Sequence, residues 1–164
     1  MEYIKFAQVN KDKDFTVPTK RATDAGYDLY CSFMQDNLII EPLTTRLIPT
    51  NLACLIPDGY YFQIEERGST GSKGIKKSAG VIDSSYRAEI FIAITNCNNK
   101  PILITKETET EALTDDYIIY PYTKAIAQMV LHKVDEFPTE LVDYQEILNT
   151  PSERGTGALG SSGK

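Results

Sequence analysis

Residues 89–96 read EIFIAITN, in which Ile90, Ile92 and Ile94 alternate with Phe91, Ala93 and Thr95. A period of two sets each series on one face of an extended chain, so the segment is predicted as a strand. The same period recurs on both sides. Residues 60–66, YYFQIEE, alternate Tyr60, Phe62 and Ile64 with Tyr61, Gln63 and Glu65. Residues 124–135, KAIAQMVLHKVD, place Ile126, Gln128, Val130, His132 and Val134 in one series. Shorter β-rich runs occupy 3–9, 38–40, 52–56, 102–105 and 117–120, and prolines such as Pro42, Pro57 and Pro101 punctuate them. Helical spacing appears in 139–148, where Leu141, Val142, Gln145 and Leu148 share a face of a short helix or irregular segment. Many short strands with little helix predict an all-β sandwich or barrel.

The 164 residues suit one domain, and such a chain buries roughly two-thirds of its unfolded surface. Seventeen basic and 23 acidic residues give a net charge of −6, which excludes broad binding to nucleic acid or an anionic membrane. The acid is unevenly spread. Residues 106–116, KETETEALTDD, carry −4 and residues 135–153 carry −6, leaving +4 on the rest of the chain. Room therefore exists for a small polyanionic substrate. Cys31, Cys54 and Cys97 lack metal-ligand spacing, and their odd number with no signal peptide predicts free, buried thiols in a reducing, cytoplasmic setting. His132 is the single histidine, so one chain cannot build a multi-histidine metal site, and a Ser-His-Asp triad would have to use it. No apolar run reaches the roughly 20 residues of a membrane span.

Residues 106–116 read as a solvated loop. Residues 152–164, SERGTGALGSSGK, hold too few large apolar residues to pack alone. The expected division is a β-rich domain over 1–151 and a mobile C-terminal arm over 152–164. Three further segments share the arm's Gly, Ser, Asp and Arg content: TDAGYDLY at 23–30, ERGSTGSKGI at 66–75 and GVIDSSYRAE at 80–89. Arginine, hydroxyls and closely approaching glycines are the parts of a phosphate cradle. Neither a P-loop nor a dinucleotide-binding glycine fingerprint is present.

In this order the segments resemble the five motifs of the trimeric dUTP diphosphatases (dUTPases): TDAGYDL at 23–29, ERGSTGSKG at 66–74, GVIDSSYRAEI at 80–90, KAIAQMV at 124–130 and RGTGALGSSG at 154–163. The resemblance implies a distorted jelly-roll β-barrel subunit in a homotrimer with active sites shared between chains. It implies Mg²⁺-dependent hydrolysis of dUTP to dUMP and pyrophosphate, which clears dUTP from the nucleotide pool and supplies dUMP. By likeness Asp83 is the general base that deprotonates the attacking water. Tyr86 packs against the deoxyribose and leaves no room for a 2′-hydroxyl. The segment from Gly80 and Val81 to Phe91, a hairpin by likeness, offers backbone groups to uracil. Arg67, Ser69 and Gln128 hold phosphate oxygens, with Gly68 in the same turn. Arg154 reaches the γ-phosphate, and Leu159, Gly160, Ser161 and Ser162 close over the substrate. Asp28 lies near the metal or its water, while Mg²⁺ rides mainly on the phosphates.

The chain departs from the family pattern at Leu159, where a stacking Phe is usual, at Ala88 for Gly, at Gly68 for Ser and at Lys124 for Arg. None of these removes Asp83 or Arg154, so an active enzyme is expected. Two alternatives remain at this point. A dCTP deaminase of the same fold needs a glutamate at the position of Ala93, and alanine cannot shuttle protons. A catalytically weak dUTPase-like regulatory protein could use the acidic 106–116 segment as a partner surface.

Overall fold

The computed structural model describes residues 3–157. Among these, thirteen strands and two short helices follow in the order β1 (Lys5–Gln8), β2 (Gly26–Leu29), β3 (Asn37–Ile40), β4 (Thr45–Pro49), β5 (Leu52–Leu55), β6 (Tyr60–Glu66), α1 (Gly68–Gly71), β7 (Ile75–Ala79), β8 (Val81–Asp83), β9 (Phe91–Asn96), β10 (Ile102–Thr105), β11 (Ala112–Leu113), β12 (Ile118–Pro121), β13 (Ala127–Lys133) and α2 (Tyr144–Asn149). Two compact units divide the chain, the first ending at Val134 and the second beginning at Asp135. All thirteen strands belong to the first. The division expected at 151/152 falls inside the second.

Within the first unit the strands form sheets ordered β1-β5, β11-β12-β10-β3, β2-β13-β6-β8 and β4-β9-β7. Every pairing is antiparallel except β10 with β12. This is an all-β jelly roll: the alternation predicts the all-β class, and the family resemblance implies the jelly roll. Its core is aliphatic: Ile48, Ile64, Ile75, Ile90, Ile92 and Ile102 are completely buried. Each such side chain contributes about 1.5–3 kcal/mol of transfer free energy. Phe6, Tyr27 and Phe62 add a cluster with ring centroids 5.5 to 6.4 Å apart, tying β1 and β2 to β6.

On β13 the inward face is Ala127 and Met129, while Gln128 and Val130 stand half-buried on the other. Three expectations need correction. Residues 106–116 are not simply a solvated loop. Ala112 and Leu113 pair with Ile119 and Ile118 as an edge strand, and Glu111 is docked by two lysines. Cys97 is exposed, whereas Cys31 and Cys54 are buried as expected. Residues 80–91 are not a paired hairpin: β8 joins β6 and β9 joins β4 and β7, in separate sheets. The pairing of β6 with β13 is the longest ladder, running from Ala127 opposite Glu66 to Lys133 opposite Tyr60. Its two ends carry different chemistry.

Candidate active site

At the first end, β2, β13 and β6 lie side by side, with Gln128 opposite both Asp28 and Glu65. The chain leaving β6 turns at once into α1, with Arg67 as the N-cap residue. Buried Thr70 pins that turn: its hydroxyl accepts from the Arg67 N–H at 3.1 Å and donates to the Arg67 carbonyl at 3.0 Å. The Arg67 guanidinium is held from two sides. Nε lies 3.0 Å from Asp28 Oδ1, Nη2 lies 3.5 Å from Oδ2, and Nη1 donates to the Ala125 carbonyl at 3.1 Å. Asp28, expected beside a metal or its water, engages this guanidinium with both oxygens. A planar fork fixed in this way presents its remaining N–H groups in a set direction.

Gln128 Nε2 donates to the Glu66 carbonyl at 2.9 Å. Room for the side chain comes from Gly26, where an added Cβ would lie 2.8 Å from Gln128 Oε1. A groove of about 860 Å³ opens between the 19–26 turn, Asp28, Arg67, Gly68, Ser69 and Gln128. Its walls carry three cations, Lys20, Arg21 and Arg67, against two carboxylates, Asp24 and Asp28, a local balance of +1. Arg21 lies 2.9 Å from Asp24, and that hydrogen bond holds the Asp24 carboxyl below its ordinary value. Polar walls, a surplus cation and a pinned arginine suit a chain of phosphates. At Gly68 an added Cβ would meet open space, so no close approach demands glycine there.

The groove thus unites Asp28, Arg67, Gly68, Ser69 and Gln128 from three separate motifs. It also recruits Thr19, Lys20 and Arg21, which the motif reading left out. The Thr-Lys-Arg run just before the first motif was the available signal.

Asp83 and its neighbours sit elsewhere. Asp83 pairs with Tyr61, five residues along β6 from Glu66, which at about 3.3 Å per residue is about 17 Å from the groove end of that strand. Gly80 packs on β6, where an added Cβ would lie 2.8 Å from the Ile64 carbonyl oxygen. Val81, Tyr86 and Phe91 are exposed. The Tyr86 N–H donates to the Asp83 carbonyl at 3.1 Å, and the Tyr86 hydroxyl donates to the Glu89 carbonyl at 2.8 Å. His132 stacks on Tyr61 with centroids 5.2 Å apart. Since β6 separates β13 from β8, His132 and Asp83 stand about two strand spacings, roughly 10 Å, apart and form no dyad. Among the described residues no three His, Cys, Asp or Glu side chains group to hold a metal ion. Arg154 lies in the second unit, where its N–H donates to Ser152 Oγ at 3.2 Å. Leu159, Gly160, Ser161 and Ser162 lie outside the described residues.

A family model described as dUTPase matches residues 13–109, more than half of the chain. The chain belongs to the dUTPase family. Among similar proteins, the deoxyuridine 5'-triphosphate nucleotidohydrolase of Orientia tsutsugamushi (strain Boryong) is 35% identical over 142 residues, covering 85% of this chain and 82% of that protein. The enzyme of the same name from Wolbachia pipientis wMel is 28% identical over 165 residues, covering 98% and 95%. Among solved structures, a Staphylococcus bacteriophage 80alpha dUTPase with dUpNHpp superposes with a TM-score of 0.76 at 23% identity, covering all of both chains. A mutant dUTPase from phage phi11 of S. aureus, which coordinates a structural Mg(II) ion, gives 0.67 at 21% identity, covering 88% and 99%. Both structures share the fold. Among the described residues of this dUTPase-family chain, no helix is long and apolar enough to cross a membrane.

Proposed function

We propose that this chain hydrolyses dUTP to dUMP and pyrophosphate in sites completed by other copies of itself. One observation carries the proposal: in a chain of the dUTPase family, Asp28, Arg67, Ser69 and Gln128 converge from three motifs on one cationic groove. Arg67, fixed by Asp28 and the Ala125 carbonyl, binds and orients the phosphates together with Ser69 and the Gln128 amide. In-line displacement needs little from a protein beyond such positioning and charge stabilisation. Asp83 accepts the proton of the attacking water. The water oxygen bonds to the α-phosphorus, the bond to the bridging β-phosphate oxygen breaks, and pyrophosphate departs with that electron pair. Tyr86 packs against the deoxyribose and excludes a 2′-hydroxyl.

The roughly 17 Å along β6 between the Asp83 pairing site and Glu66 supports sites shared between copies, proposed as a homotrimer in which one chain supplies Asp83 and Tyr86 to the groove of another. Exposed apolar side chains support association as well, Leu141 being 100% and Phe137 81% exposed. The arm over 152–164 is proposed to bring Arg154, Leu159, Gly160, Ser161 and Ser162 over the bound triphosphate. The described carboxylates of the groove are occupied by Arg21 and Arg67, which fits a Mg²⁺ carried by the substrate phosphates rather than a protein cage. Such an ion supplies neutralisation of phosphate charge. A panel of dUTP, UTP, dTTP and dCTP, scored separately for pyrophosphate and ammonia, tests the assignment. Pyrophosphate from dUTP alone is expected, and ammonia from dCTP would overturn it.

A further inference from the structure

The acidic segment 106–116 contains one carboxylate unlike its neighbours. Glu107 accepts from Asn37 at the surface, Glu109 accepts from the Thr123 hydroxyl, and Asp115 and Asp116 are exposed. Glu111 is turned inward. It stands immediately before β11, whose pairing with β12 fixes its backbone. Its Oε2 receives Lys73 Nζ at 2.5 Å and Lys124 Nζ at 3.0 Å. Its Oε1 is buried and has no hydrogen-bond partner among the described residues. An orphaned buried carboxylate oxygen is costly, so a compensating role is expected of its neighbours.

Both lysines lead to Arg67. Lys73 closes the α1 turn that Arg67 caps, and its N–H donates to the Thr70 carbonyl at 3.0 Å. Lys124 directly precedes Ala125, whose carbonyl accepts Arg67 Nη1 at 3.1 Å and the buried Tyr120 hydroxyl at 2.7 Å. Burial, and then the charge of Glu111, push the Tyr120 hydroxyl well above the ordinary tyrosine value, so it remains a donor to that carbonyl. One carboxylate therefore grips the backbone turn that carries Arg67 and the peptide that anchors its guanidinium.

We propose that Glu111 is a positioning residue for substrate binding: it clamps the α1 turn to the segment before β13 and so holds Arg67 aimed into the groove. The inference rests on the phosphate-binding role given to Arg67 above. Simple electrostatics predicts the opposite sign for its loss, since removing a negative charge near the groove favours a polyanion.

The test compares full-length wild type with Glu111→Gln, Glu111→Asp, Lys124→Met and, as a control, Glu107→Gln. Affinity for dUpNHpp is measured by calorimetric titration, and KM and kcat are measured with dUTP. Glu111→Gln and Lys124→Met are expected to weaken dUpNHpp binding and raise KM about tenfold, the order of one weakened charge-assisted contact, with kcat within about twofold. Glu111→Asp recovers part of the loss, and Glu107→Gln changes nothing. Unchanged or tighter dUpNHpp binding in Glu111→Gln overturns the clamp, as does an equal effect of Glu107→Gln. Lys124→Met keeps the test decisive if Glu111→Gln fails to fold. Wild-type hydrolysis of dUTP with an inert Glu111 rejects only the clamp, whereas a wild type that neither binds dUpNHpp nor releases pyrophosphate rejects the proposed function.

Discussion

Mixing two inactive variants is predicted to restore activity. Asp83→Asn removes the proposed base, and Arg67→Ala empties the groove of its pinned guanidinium. Within one chain these positions belong to opposite ends of β6, with about 17 Å between the Asp83 pairing site and Glu66. A phosphate held by Arg67 is far beyond the roughly 3 Å reach of proton transfer from Asp83 of the same chain. If each site takes Arg67 from one copy and Asp83 from another, chains of the two variants co-expressed in equal amounts assemble at random. A given site then needs a first chain with intact Arg67, one chance in two, and a neighbour with intact Asp83, again one in two. About one quarter of sites are complete, and pyrophosphate release recovers to about a quarter of the wild-type rate. The assay is pyrophosphate release from dUTP by separately purified variants and by co-expressed mixtures. Mass spectrometry establishes that mixed oligomers formed. Mixed oligomers with no activity above the separate variants would refute a site shared in this way.

Gly26→Ala places a Cβ 2.8 Å from Gln128 Oε1, 3.1 Å from Gln128 Cβ and 3.2 Å from the Met129 carbonyl oxygen. Loss of the Gln128–Glu66 hydrogen bond together with local strain is expected to cost about 1–3 kcal/mol and to raise KM, read from thermal melts and dUTP kinetics; unchanged values in both contradict the role given to Gln128. Burial pushes the thiols of Cys31 and Cys54 up to about 12 and about 11. Ellman's reagent at pH 8 is therefore expected to modify Cys97 rapidly and the other two only after denaturation. Burial opposes the charge on Glu111, but Lys73 and Lys124 outweigh it and hold the folded-state value below the ordinary carboxylate range. Its contribution to stability is thus present above the unfolded-state value and lost as pH falls through the lowered folded-state value. The melting-temperature difference between wild type and Glu111→Gln should be largest near neutral pH and shrink on acidification; a difference independent of pH would contradict the ion-pair account.

The strands most legible in the sequence are those whose packing repeats the backbone period. β6 matches the predicted 60–66, and Ile90, Ile92 and Ile94 are buried as their alternation requires. β2 and β8 were hidden because Gly, Asp and Ser dominate their surroundings and read locally as turns. They are extended because longer neighbours, β13 and β6, satisfy their backbone groups. The inward face of β13 was hidden for a related reason. Both of its series are largely apolar, and only sheet packing decided for Ala127 and Met129. Glu111 was one acid among five in a segment whose composition says solvent. The lysines that claim it are 38 and 13 residues distant in sequence, so only folding brings their charges together.

By itself the sequence determined the all-β class, the absence of a multi-histidine metal site within one chain, and five ordered segments resembling those of the dUTPases. Alternation, residue counts and local motifs are properties of the chain read in order. Only the tertiary structure decided which segments meet. β13 lies between β2 and β6, so Asp28, Gln128 and Arg67 share one groove. The rigid antiparallel ladder that makes this groove also carries Asp83 to the opposite end of β6, because each residue of extended chain advances it about 3.3 Å.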